Sequence, residues 1–251
     1  LDRVTGKSLF KMKKVLAPTS NVPGERTSYY QFQNEIPEPV CRNKITKNDL
    51  SDFSYVNKAK INEVFENSEY GFPNPPKIGI KNIHIGSCVR WAGASVDTEK
   101  NILYVSTDLF PYLVSIIENK FWKGTYTHKW EQFKDNKNFP AIKPPWGSIV
   151  ALNLNNGKII WKVPFGEYSE LTKLGIPKTG TNNRSGLTGT KAGLIFASGT
   201  KDNKFVILDS NNGKELWSFE MTHPGSAPPL TYEINGKQYI VIPAFEKGGK
   251  K

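Results

Sequence analysis

Three histidines (His84, His128 and His223) and two cysteines (Cys41 and Cys88) are the side chains best suited to nucleophilic, acid–base or metal chemistry. Their spacing builds no metal ribbon. There is no C-x-x-C and no C-x-x-C-H, so neither a zinc ribbon nor a c-type haem site is supported within this sequence. No G-x-G-x-x-G joins a strand to a helix, which removes the usual dinucleotide site. The cysteines either pair in an oxidising compartment or serve as small buried hydrophobes. His128 falls in a polar stretch and reads as solvated. His223, in "THPGSAPP", reads as a hydrogen-bonding residue at a connecting turn. His84, just before "IGSCVRW", stays a site candidate. Trp91 and Trp146 read as packing residues, with lining of a cleft as a second role for Trp146 in "PPWG".

Bulk properties narrow the classes further. The net charge is +11, a balance that often signals nucleic acid or an anionic surface. Here the lysines are spread along the whole chain (Lys11, Lys58, Lys81, Lys134, Lys162, Lys201, Lys237), with no basic helix and no aromatic–basic interleaving. That pattern is a solvated basic surface, and nucleic acid is not expected as a partner. Aromatic residues make up 12% of the chain, which argues for a folded domain. No run of about 18 apolar residues is present, so this sequence contains no membrane-spanning helix. No basic-then-apolar leader is visible. The opening "LDRVTGKSLF" reads as the end of one strand, a turn and a second strand, so the chain is expected to begin in mid-element.

The elements that must position any site come from a repeat. "NNGKIIW" (155–161) returns as "NNGKELW" (211–217), and Gly157 and Gly213 are 213 − 157 = 56 residues apart. A weaker copy opens the chain, with Gly6 and Phe10 in the glycine and tryptophan places. Each copy reads as an apolar strand, a turn whose glycine takes a positive φ, and a return strand carrying a tryptophan. Ile149, Ala151 and Leu152 lead into the first turn, and Phe205 to Leu208 into the second. "WAGASVDTEKNILYVST", "AGLIFASGTKDN" and "APPLTYEINGKQYIVIPA" add further hairpins. Such a period with four strands per unit predicts an all-β fold, a β-propeller with Trp161 and Trp217 in equivalent positions between blades. Residues 11–75 and 113–145 break the period and read as insertions that decorate one face. Within the first, "TKNDLSDFSYVNKAKINEVFEN" reads as a short helix capped by Thr46 or Asn48.

At these motifs the sequence resembles the pyrroloquinoline quinone (PQQ) dependent quinoprotein dehydrogenases, with the membrane-associated glucose dehydrogenase type nearest. "LDRVTGKSLF", "WAGASVD", "FPYLVS", "PPWGSIVALNLNNGKIIWKVPFGEY", "GLIFASGTKDNKFVILDSNNGKELW" and "APPLTYEINGKQYIVIPA" follow that family's later segments in order. The tryptophan-docking pattern A-x-D-x-x-x-G-K-x-x-W appears as "ALNLNNGKIIW" and "ILDSNNGKELW", with Asn153 where an aspartate is usual. The resemblance implies an eight-bladed propeller, of which residues 1–251 hold about four blades as one partial domain, the C-terminal part of such an enzyme. It also implies PQQ as cofactor, with Ca²⁺ beside it, and oxidation of an alcohol, sugar or polyol by hydride transfer to the quinone. The electron acceptor would be ubiquinone or another acceptor. The rest of the propeller is the implied structural partner, and the implied location is the periplasm, with an inner-membrane anchor in the glucose dehydrogenase type.

By this resemblance the catalytic aspartate and the metal ligands lie outside the sequence, so no catalytic or metal-binding residue is assigned within it. For the cofactor, the family places an asparagine after the strand that follows its W-G-G-x-x-x-D motif. The matching "YVSTDLFPY" puts Ser106 there, with Thr107 and Asp108 beside it; serine is shorter and reaches less far. In "GTNNRSGL", Asn183 and Arg184 stand where the family presents residues to the axis, and Arg184 would meet a PQQ carboxylate. Asn183-Arg184-Ser185 is also a formal glycosylation sequon, a match that three residues give readily by chance. The competing reading is a non-catalytic propeller scaffold of the outer-membrane assembly lipoprotein kind. The long insertions favour the enzyme.

Overall fold

The computed structural model describes residues 2–70, 74–86 and 88–245. In chain order the strands are β1 (Met12–Leu16), β2 (Tyr30–Asn34), β3 (Ser68–Tyr70), β4 (Lys81–Ile85), β5 (Cys88–Val89) and β6 (Ser95–Asp97). They continue with β7 (Ile102–Asp108), β8 (Pro111–Glu118), β9 (Tyr126–Gln132), β10 (Gly147–Asn153), β11 (Ile159–Pro164) and β12 (Leu187–Gly189). The last five are β13 (Leu194–Ala197), β14 (Lys204–Asp209), β15 (Glu215–Glu220), β16 (Leu230–Ile234) and β17 (Lys237–Val241). Two short helices, α1 (Lys58–Glu66) and α2 (Ser169–Thr172), complete the regular structure with a 3-10 turn at Lys47–Asp49. The all-β reading holds, and the four-stranded sheets are built like propeller blades. The chain divides into two compact units, residues 2–86 with 110–143 and residues 88–109 with 144–245.

The second unit holds the repeat. One sheet runs β11-β10-β7, and both β5 and β6 pair with β7, at opposite ends of it. The next sheet runs β12-β13-β14-β15, and a separate hairpin joins β16 to β17. The two copies agree in fine detail. Ala151 faces Trp161 and Leu152 faces Ile159, with Ile160 bulged out between them. Fifty-six residues on, Ile207 faces Trp217 and Leu208 faces Glu215, with the same irregularity. The turns match as well: Gly157 N–H donates to the Asn153 carbonyl (2.8 Å) and Gly213 N–H to the Asp209 carbonyl (2.8 Å). Asn153, the departure from the docking pattern, keeps the aspartate's contact, since its Oδ1 accepts from Asn155 N–H (2.8 Å) as Asp209 Oδ1 does from Asn211 N–H (2.7 Å). The weak opening copy forms the same turn, with Gly6 N–H on the Asp2 carbonyl (2.9 Å) and Val4 N–H on Asp2 Oδ1 (3.1 Å). In the last hairpin, Asn235 and Gly236 take φ of 52° and 74°, the successive positive angles of a two-residue turn.

The core of this unit lies between the two sheets and joins Tyr104, Ile149, Ala151 and Phe165 to Leu187, Ile195, Ala197, Val206 and Leu208. Trp161 closes it. Its indole N–H donates to the Ser210 carbonyl (3.0 Å), and its ring lies where a Cβ on Gly213 would come within 2.7 Å of Cε3. Gly213 therefore meets two demands, a positive φ of 72° and bare backbone under the indole. Trp217 does not share that setting. It is 51% exposed and touches only rings of its own sheet, Phe205 and Phe219. The expectation of equivalent inter-blade burial thus holds for register and fails for packing, because among the described residues no further sheet covers β15.

The first unit carries the aperiodic segments. A four-stranded sheet β3-β4-β8-β9 and the hairpin β1-β2 make its strands. The expected helix is shorter than its sequence run. Asp49 takes hydrogen bonds from both the backbone and the hydroxyl of Thr46 (2.8 and 2.7 Å), so Thr46 caps only the 3-10 turn. Extended backbone follows, with Ser51 N–H on the Ala141 carbonyl (2.9 Å). Asn57 is the cap of α1, its Oδ1 accepting from Lys60 N–H (3.2 Å). His84 sits on β4 with its ring edge-on to Trp130 (5.6 Å), and burial lowers its pKa. His128 approaches the same indole at 5.7 Å. Neither Cys41 nor Cys88 is a free thiol; both are disulfide-bonded.

Candidate functional site

The residues singled out at 106–108 and at 183–184 meet at one end of the second unit. Strand β7 ends in Ser106, Thr107 and Asp108, all buried. A buried run of polar residues is costly unless paired, and the pairing comes from the loop before β12. Asn183, fully buried, donates its amide to the Thr107 carbonyl (2.9 Å). Thr107 in turn donates its hydroxyl to the Ser148 carbonyl (3.3 Å). Arg184 is exposed; its backbone N–H donates to the Gly199 carbonyl (3.1 Å), and its guanidinium makes no hydrogen bond or ion pair among the described residues.

Two glycines let this loop approach β10. A Cβ on Gly147 would lie 2.0 Å from the Thr181 carbonyl oxygen, and one on Gly180 would lie 2.1 Å from the Gly147 oxygen. With both positions bare, Trp146 N–H donates to the Thr179 carbonyl (2.7 Å) and Thr181 N–H to the Phe165 carbonyl (2.9 Å), which ties residues 179–183 across the end of the sheet. Trp146 is fully buried and meets Tyr168 edge-on at 5.5 Å, so packing, the first of its two expected roles, is the one observed.

Three contributors were not legible as site residues. Arg90 pairs through Nη1 with Asp108 Oδ2 (3.3 Å), and Asn182 donates its amide to the same oxygen (2.6 Å). Arg90 is placed by a break in the strand: β5 and β6 both pair with β7, and between them Arg90 N–H holds the Ser106 carbonyl (3.2 Å). The third is Tyr168. Burial first, then the charges of Asp108 and Glu170, push its phenol up to about 12, so it is neutral at physiological pH. The Lys201 ammonium lies 5.5 Å from its ring centre. Trp91, expected to pack, is instead 87% exposed beside Arg90, because the strand break turns it out of the sheet. The signal that was available for Arg90 was its place at the start of "RWAGASVD", opposite Ser106.

Asp108 accepts from a guanidinium and an amide on the same oxygen, Oδ2. Four buried atoms, Ser106 Oγ, Ser148 Oγ, Asn183 Oδ1 and Arg90 Nε, find no hydrogen-bond partner among the described residues. Each costs about 1–3 kcal/mol while unpaired, and a polar ligand relieves that cost. No group of three or more metal-ligating side chains occurs among the described residues.

Against known proteins, residues 1–240 match the family model described as "PQQ: Glucose/ethanol/alcohol dehydrogenase, beta-propeller domain". The chain belongs to this PQQ β-propeller dehydrogenase family. It is 24% identical over 277 aligned positions to quinoprotein glucose dehydrogenase A of Acinetobacter calcoaceticus, an alignment covering 99% of this chain and 35% of that protein. It is 24% identical to the quinate/shikimate dehydrogenase (quinone) of Acinetobacter baylyi, covering 97% of this chain and 34% of the relative. With the glycerol dehydrogenase large subunit of Gluconobacter thailandicus the identity is 26%, covering 97% and 38%. The chain thus spans 34–38% of the length of these relatives.

Proposed function

We propose that the chain is part of a PQQ-dependent dehydrogenase that oxidises an alcohol, sugar or polyol, with the buried polar cluster of the second unit on its cofactor side. The observation that carries this is the joining of two segments of a PQQ-family propeller, 106–108 and 182–184, through Asn183 on Thr107 and Asn182 on Asp108. The donor set suits a flat tricarboxylate. Arg184 offers an uncommitted guanidinium and Ser106 Oγ an unpaired hydroxyl, while Asn183 Oδ1 is left as an acceptor for a ligand N–H. When bound, the quinone accepts the hydride of the substrate C–H. This chain's residues would hold its edge: Arg184 by a two-pronged pair with a carboxylate, Ser106 and Asn183 by hydrogen bonds, and Asp108 by keeping Arg90 in place. The base that takes the hydroxyl proton and the ligands for Ca²⁺ are assigned to further propeller segments, as is the remainder of an eight-bladed ring. The reading extends to a periplasmic location, which the disulfide-bonded cysteines support, and to ubiquinone or another quinone as electron acceptor.

The test is PQQ titration of the intact apo-protein, followed by dye-linked oxidation of glucose, quinate and glycerol. Binding of PQQ with Ca²⁺-dependent oxidation of one of them, and no response to nicotinamide, is expected. An intact, folded protein that does not bind PQQ overturns the reading. For Arg184→Ala, PQQ affinity is expected to fall about tenfold to a hundredfold, with Arg184→Lys not restoring it and the apo melting temperature unchanged.

A further inference from the structure

Among the described residues Arg90 is bound on one side only: its Nη1 meets Asp108 at 3.3 Å, Nε is enclosed without a partner, and its side chain is 14% exposed. The uncommitted edge is the one formed by Nε–H and Nη2–H, whose two parallel donors match the two oxygens of a carboxylate. Asp108 and Asn182 fix the orientation of that edge: the carboxylate, itself gripped by the Asn182 amide at 2.6 Å, holds the far side of the guanidinium. Strand pairing fixes the backbone, with Arg90 N–H on the Ser106 carbonyl. A guanidinium held this firmly, with its side-on fork left over, is organised for a second anion.

We infer that Arg90 presents its Nε/Nη2 fork to a carboxylate of the bound ligand and makes the site selective for carboxylate-bearing molecules, with Asp108 as the residue that positions it. This inference rests on the PQQ-dehydrogenase reading and deepens it. The carboxylate has two possible sources, a ring carboxylate of the cofactor or the acid group of a polyhydroxylated substrate. In either case the chemistry at Arg90 is the same.

The experiment uses the intact protein as wild type, Arg90→Lys, Arg90→Gln and Asp108→Asn, each first checked for an unchanged melting temperature. One arm titrates PQQ into the apo-protein and follows tryptophan fluorescence. The other measures equilibrium binding of gluconate and of glucitol, which share a six-carbon skeleton, to the PQQ-loaded protein. Arg90→Lys keeps the charge but loses the fork. It is expected to lose about tenfold or more either in PQQ affinity, which assigns the carboxylate to the cofactor, or in the preference for gluconate over glucitol, which assigns it to the substrate. Asp108→Asn should move the same quantity in the same direction by a smaller factor. PQQ affinity and gluconate preference both unchanged in Arg90→Lys and Arg90→Gln would overturn the inference and leave Arg90 as a structural ion pair. Should Asp108→Asn and the Arg90 variants all lower the melting temperature, the ligand measurements on Arg90→Lys at a temperature where it is folded decide in the same way. A wild type that fails to bind PQQ would sink the functional reading itself, and this inference with it.

Discussion

Trp161 and Trp217 occupy the same place in two copies of one hairpin, yet one is docked and the other is half exposed. Around Trp161 the neighbouring sheet supplies a carbonyl from Ser210 and bare backbone at Gly213. Around Trp217 only Phe205 and Phe219 are in ring contact. Local sequence writes the hairpin, bulge and turn identically in both. What differs is the presence of a second sheet, so the energetic value of the tryptophan belongs to the junction and not to the motif.

The largest expected effect tests that directly. In the 251-residue chain, Trp161 is partly buried against the core, and Trp161→Ala should lower unfolding free energy by about 3 kcal/mol, the low end for a core aromatic. Trp217→Ala should cost about 1 kcal/mol, in the range of a half-exposed side chain. Urea unfolding of the two variants makes the comparison, and equal losses would mean that Trp217 is docked in solution.

Glycine substitutions sharpen it. Gly157→Ala and Gly213→Ala both force alanine to a positive φ, near 70° and 72°, at about 1–2 kcal/mol each. At Gly213 the new methyl also meets the Trp161 indole, so its loss should exceed the cost of the positive φ by about 1 kcal/mol or more. Adding Trp161→Ala should erase that excess in a double-mutant cycle.

A smaller effect separates turn from junction. Asn153→Ala and Asp209→Ala each remove a side-chain acceptor for a turn N–H and should cost about 1 kcal/mol apiece. Similar values are expected because the turns are alike, whatever lies beside them. A threefold difference in thermal-melt analysis would tie the turns to the junction after all.

The smallest effect is on pH. The hydrogen bond from the Lys204 ammonium, the largest influence on Glu167, holds its carboxyl below the usual range, and the same bond raises Lys204. A depressed acid contributes stability above its unfolded pKa, near 4.3, and loses it as pH falls through the folded value. A raised lysine contributes below its unfolded pKa, near 10.4, and loses it as pH rises through the folded value. Glu167→Gln should therefore lower stability by at most about 1 kcal/mol around pH 7, and the gap to wild type should close below about pH 4 and above about pH 10.5. Melting temperatures across pH 3–11 provide the check, and a variant whose acid limb is as steep as the wild type's rules the pair out as a contributor.

Much of the fold was legible because its rules are local. Gly157 and Gly213 announce positive φ, "NG" at 235–236 announces a tight hairpin, and the apolar run Ile149–Leu152 announces a buried strand. The helix was overread because the run was taken whole: "LSDFSYV" is poor in helix formers and pairs with backbone near Ala141. In the candidate site, Ser106 to Asp108 and Asn183–Arg184 were reached through family resemblance. Arg90, Asn182 and Tyr168 were missed because each belongs to the cluster only through a partner far along the chain. Asn182, for example, meets Asp108 across 74 residues.

By itself the sequence determined the repeat, its turns and the family, since all follow from residue type at fixed short spacing. Tertiary structure alone decided which tryptophan is docked, that a strand break after Val89 turns Trp91 outward and sets Arg90 against Asp108, and that a loop from 179–183 crosses two bare glycines to meet strand β7. The physical reason is the same in each case. Burial, ion pairing and close backbone approach depend on what arrives from another segment, and no local spacing specifies that.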